Sequence, residues 1–141
     1  MKKIITLLPL VVLFLASRVT GQTSTTFSVA HDTMTINTSI ATSEPNPITN
    51  LTSSNITINW KAVATDFPSD WISGAGICDN LSCYGGALIW TSGSGPLHTS
   101  DPYSPGSGTF QFTFDPSGIT SSTTACHYIT IKLYNQAAPT D

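Results

Sequence analysis

Ile56-Thr57-Ile58-Asn59-Trp60-Lys61 alternates apolar and polar residues without a break. A period of two sets both isoleucines and the indole on one face of an extended chain, the pattern of a half-buried strand. Trp60 therefore reads as core. Phe110, Phe112 and Phe114 repeat the pattern, as do Ile129, Ile131 and Leu133 within a strand expected from Thr124 to Tyr134. Phe27 with Val29, and Met34 with Ile36, give shorter versions nearer the N-terminus, and Ala87 to Thr91 is a further short candidate.

The segments between these runs carry turn chemistry. Ala41 to Asn50 holds two prolines and a glutamate and reads as a connection. Asp66 to Gly76, with Trp71 inside it, and Ser92 to Gly108 are punctuated by Gly, Pro, Ser and Asp, and Asp115, Pro116 and Gly118 close the phenylalanine strand. Beyond the N-terminus no 3.6-residue periodicity stands out. Short alternating strands separated by such turns imply an all-β fold, an antiparallel β-sandwich of about six or seven strands with immunoglobulin-like packing. A jelly roll or a small barrel is the alternative.

Lys2 and Lys3 precede an apolar run from Leu7 to Ala16, and small residues follow at Ser17, Thr20 and Gly21. That order is a secretory signal peptide, with cleavage expected after Gly21 and Ala16 as the second choice. The run is shorter than the roughly 20 residues of a spanning helix, so no membrane span is expected in the mature chain. The expected organisation is signal peptide 1–21, polar leader 22–26 and β-sandwich 27–135. Residues 136–141 read as a polar tail, or as a turn into a further strand that the sequence does not contain. Export to the periplasm, the cell surface or the medium follows.

Three of the five cations, Lys2, Lys3 and Arg18, belong to the signal. Lys61 and Lys132 then face eight acidic residues, a net charge of −6. Such a chain is a poor partner for nucleic acid or anionic lipid.

In an oxidising compartment Cys78 and Cys83 are the natural disulfide, closing a tight loop over Asp79-Asn80-Leu81-Ser82. A loop of about six residues is worth roughly 2 kcal/mol, enough to stiffen a turn. A redox pair is the other reading, but the spacing is not Cys-x-x-Cys. Cys126 is left as a free thiol on the more polar face of the last strand or at an edge under a loop. His127 beside it suggests a metal ligand, yet neighbours on a strand point to opposite faces. No calcium-loop spacing joins Asp66, Asp70 and Asp79. No nucleophile elbow or Ser/His/Asp order is present. The expectation is a non-enzyme without catalytic residues, metal or cofactor.

Trp71, Tyr84 and Trp90 have two readings, packing over the end of the sandwich or recognition by loop aromatics. Trp71 and Tyr84 are the candidates for ligand binding, and their exposure on one flat patch is what that reading requires. Asn37, Asn50, Asn55 and Asn80 each begin an Asn-x-Ser/Thr sequon, discounted because the signal peptide reads as bacterial.

Ile58-Asn59-Trp60-Lys61, Phe67-Pro68-Ser69-Asp70-Trp71 and Gly76-Ile77-Cys78-Asp79-Asn80-Leu81-Ser82-Cys83-Tyr84, followed by Gly106-Ser107-Gly108-Thr109-Phe110 and Ile131-Lys132-Leu133-Tyr134-Asn135, form a recognisable series. Across about residues 50 to 135 it resembles an immunoglobulin-like accessory module of secreted Bacteroidetes proteins associated with type-nine secretion. Phe67 and Asp70 depart from that family's usual Leu and Gly, and the sorting domain that commonly follows such modules is absent from this sequence. The resemblance implies a module without established chemistry, with an unknown protein or a glycan as partner. In that bacterial group Asp32-Thr33-Met34 also fits an O-glycosylation site at Thr33.

Overall fold

The computed structural model describes residues 24–35, 40–91, 93–121 and 126–139. The expected signal peptide and the Ile36 and Asn37 positions lie outside them. Over the described residues the fold is all-β, with three antiparallel sheets. In chain order the strands are β1 (Phe27–Val29), β2 (Thr42–Pro45), β3 (Ile48–Asn50), β4 (Ile58–Thr65), β5 (Ala75–Cys78), β6 (Cys83–Gly85), β7 (His98–Thr99), β8 (Gly106–Gly108), β9 (Gln111–Phe114) and β10 (Ile129–Asn135); α1 (Ser69–Gly74) separates β4 from β5.

β4 is central to the first sheet, ordered β10-β4-β7. Its alternation points Ile58, Trp60 and Ala62 inward, each buried to within a percent of completely. β10 runs beside it with Leu133 opposite Trp60 and Ile131 opposite Ala62. The second sheet, β2-β9-β5-β6, supplies Phe112, Phe114, Ala75 and Ile77 to the same core. Trp60 spans the two layers, its ring 5.4 Å from that of Tyr84 on β6 and 6.0 Å from Phe110. These contacts make the architecture a sandwich.

The third sheet, β1-β3-β8, continues the second around a bend. β2 pairs with β9 and β3 with β8, and at the corner Asn46 donates its N–H to the Phe110 carbonyl at 2.7 Å. The bend falls at Asn46-Pro47. There the Asn46 carboxamide acts as a substitute peptide, accepting from His31 N at 2.8 Å and donating to His31 O at 2.7 Å.

Several expectations are corrected here. Ala41 to Asn50 is two strands, because Pro45 sits on an edge strand where its missing N–H costs no ladder bond and Pro47 lies in the bend. Ala87 to Thr91 is no strand. Gly86, at φ 54°, starts a 3-10 turn over Gly86–Leu88, which drops Ile89 fully into the core. Within Asp66 to Gly76 stands α1, whose six residues are too few to show a helical period. The strand number exceeds six or seven because the bend divides two strands and because short ladders such as Gly106–Gly108 carry no apolar signal. Residues 136–139 form a tied turn, with Gln136 N on Thr57 O at 2.8 Å and Ala138 N on Asn135 O at 3.0 Å.

Candidate functional site

The β5–β6 hairpin carries the block that the sequence singles out. Cys78 and Cys83 are opposite partners in its ladder and form a disulfide. Asp79 begins the turn. Its Oδ1 accepts the N–H groups of Leu81 and Ser82 at 2.8 and 3.1 Å, an Asx turn that satisfies donors a four-residue connection would leave open. Its Oδ2 accepts the indole N–H of Trp60 at 2.7 Å. One buried carboxylate therefore shapes the hairpin and fastens it to the central strand of the facing sheet. Asn80 adds a second latch, accepting Thr109 N at 2.9 Å, while the Tyr103 hydroxyl donates to Thr109 O at 2.7 Å.

Beside the hairpin, the His98 ring stacks on Trp60 with centroids 4.2 Å apart and planes 25° apart. Tyr84 closes over both, 4.1 Å from His98. His98 Nε2 lies 2.6 Å from the Leu88 carbonyl, which can only accept, so this nitrogen carries the proton. Among the described residues no hydroxyl or thiol is hydrogen-bonded to His98, and the ring serves as a wedge between β7 and the turn at Leu88. Burial, and then the charges of Asp79 and Asp101, push the Tyr84 phenol above the usual tyrosine pKa. Burial does the same, more strongly, to Tyr103, with Asp79 adding to it.

No match is found. That holds for protein-family models, for curated proteins and for solved structures alike.

The structure does not bring Trp71 and Tyr84 together. Trp71, on α1, is 8 % exposed and meets Phe67, Phe114 and His127 edge-on, with its indole N–H directed at Ser121 O at 3.4 Å. It has no free face for a sugar, because α1 turns the ring into the core. Tyr84 is half-buried and borders a shallow cleft of about 380 Å³ that Gly74, Gly76, Thr113 and Asp115 also line. Trp90 is half-buried beside the 3-10 turn.

Asp70, adjacent to Trp71, was not singled out as a structural residue by its spacing. Its Oδ2 gathers Thr120 N at 2.8 Å, Ser121 N at 2.7 Å and the Thr120 hydroxyl at 3.2 Å. Led by the Ser121 N–H, these donors hold its carboxyl far below the usual range. The only advance signal was a carboxylate in a turn-rich segment.

Cys126 is free and exposed, three residues before β10 begins. Thr33 and Asp32 are exposed. Asn50 is buried, its amide donating to Ser54 O and Tyr103 O at 2.8 Å each, so its sequon is closed to modification. Among the described residues no group of three or more His, Cys, Asp or Glu is placed to hold a metal ion. No described helix is long and apolar enough to cross a membrane.

Proposed function

We propose that the chain is a secreted, non-catalytic β-sandwich of immunoglobulin-like type, with a structural or interaction role in the bacterial envelope or outside the cell. One observation carries this reading. Asp79, His98 and Trp60, the polar groups packed beside Tyr84, are engaged in holding the fold. Both oxygens of Asp79 are occupied, His98 Nε2 is bonded to a carbonyl, and the Trp60 indole is bonded to Asp79. A catalytic acid, base or nucleophile needs its reacting atom open to substrate. The disulfide supports an oxidising compartment, and the Cys-Asp-Asn-x-x-Cys-Tyr block supports the Bacteroidetes accessory-module reading.

A ligand-binding module is the second reading, favoured by Tyr84 at its cleft and now without Trp71. A glycan array separates the two. The chain purified after export, and its Trp71→Ala and Tyr84→Ala variants, are expected to show one common binding profile, with only stability reduced. A profile lost in folded Tyr84→Ala establishes the second reading instead. Cell fractionation tests the compartment: full-length chain retained in the cytoplasm with residues 1–21 attached contradicts export.

A further inference from the structure

The outer face of the β10-β4-β7 sheet holds a second constellation. Asn59 and Lys61 alternate with inward Trp60, and the antiparallel register sets Tyr134 beside Asn59 and Lys132 beside Lys61. Thr99 of β7 extends the Asn59 row. The block thus joins the only two lysines beyond residue 21 in a sequence where eight acids outnumber them. Like charges directly opposite one another on a sheet cost stability. Among the described residues neither lysine is in a salt bridge. Lys132 Nζ instead rests 5.8 Å from the centre of the Tyr134 ring.

Asn59 supplies the second observation. It is 7 % exposed, and its carboxamide oxygen is buried without a hydrogen-bond partner. An unmet buried acceptor costs stability, and the opposed lysines stand next to it on the same face. The face therefore suits an acid at its lysines and a hydroxyl donor at Asn59, two residues or about 7 Å apart along the strand. A uronic-acid sugar carries both, a carboxylate on one ring carbon and hydroxyls on its neighbours. Tyr134 offers the ring against which a sugar face stacks. Because that oxygen is buried, admitting the hydroxyl requires the side chains over it to shift.

We propose that Asn59, Lys61, Lys132 and Tyr134 form a binding site for a uronic-acid-bearing glycan. The site rests on the interaction reading above and names its ligand class, using residues other than those around Tyr84. Calorimetric titration of the exported, purified chain with oligogalacturonate tests it. Binding is expected to weaken with added salt, and Lys61→Gln and Lys132→Gln are each expected to weaken it about two- to fivefold. Asn59→Ala weakens it while leaving the salt dependence unchanged. Lys61→Gln also raises the unfolding midpoint, by relieving the lysine–lysine repulsion, which shows that the variant is folded.

No binding, unchanged binding in the double lysine variant, or equal binding of a neutral oligosaccharide overturns the site. So does equal binding of polyglutamate, which marks charge alone. Each of these leaves the non-catalytic reading intact, since that is judged on the Tyr84 and Trp71 variants.

Discussion

Trp60 donates its indole N–H to Asp79 Oδ2 at 2.7 Å, joining the central strand of one sheet to the disulfide hairpin of the other. Both partners are buried, Trp60 completely. A buried hydrogen bond to a charged group is worth about 1.5–3 kcal/mol, and Asp79 makes two more to its own turn. Asp79→Ala is therefore expected to lower stability by about 3 kcal/mol in urea unfolding, with an unchanged fold by circular dichroism. Asp79→Asn, which keeps one acceptor oxygen, falls between that variant and the parent. Equal stability of all three contradicts the clasp.

The disulfide closes a loop already shaped by Asp79, so its removal costs little more than loop entropy. Cys78→Ala with Cys83→Ser is expected to lose about 2 kcal/mol and to remain folded. Titration of the native, unreduced chain gives one reactive thiol, at exposed Cys126. Two or three thiols refute the bridge.

Asp70 gives the region of Thr120 and Ser121 an acid-dependent anchor. Its folded-state pKa lies below the unfolded value of about 4, so its contribution is complete above that pH and is lost as pH falls toward the folded value. The stability gap between the parent and Asp70→Asn is expected to be constant from pH 7 to about 5 and to shrink below about pH 4. A gap that grows on acidification has the wrong sign.

Tyr103 sets the alkaline limit. Its folded pKa is raised by burial, so its contribution is present below the free phenol value of about 10 and is lost as pH rises above it. Its ionisation in absorbance titration is expected to coincide with unfolding. Tyr103→Phe, lacking the bond to Thr109 O, unfolds at lower urea but with a shallower alkaline loss.

Gly108 is required by that same tyrosine. A Cβ at this position would run into the Tyr103 ring, which is 1 % exposed and cannot retreat. Gly108→Ala is expected to cost about 2 kcal/mol or more in urea unfolding, as overpacking does. A neutral outcome would mean that the ring is mobile.

The core was legible where a period of two survives in the sequence. Trp60, Phe110, Phe112 and Phe114 were all placed inside by alternation alone, and all are buried. The hairpin disulfide followed from spacing and compartment. β7 at His98–Thr99 and β8 at Gly106–Gly108 carry no alternation of their own, because they are held by partners distant in the chain, and the second was signalled only by the family resemblance. Trp71 could not be assigned before α1 was known, since a single helical turn decides whether the ring faces inward. The Lys61–Lys132 pairing was invisible for a related reason. Register between strands seventy residues apart is a property of the sheet, and neither strand records it alone.

Hydrogen exchange at the Trp60 indole N–H tests the account most directly. In an ¹⁵N-labelled chain, with the three indole signals assigned by Trp→Phe variants, the Trp60 proton is expected to exchange only through global unfolding. In Asp79→Ala that protection falls in step with stability. Exchange of the Trp60 proton in the native parent at the rate of free tryptophan would contradict the clasp, and with it the claim that this aromatic block serves the fold.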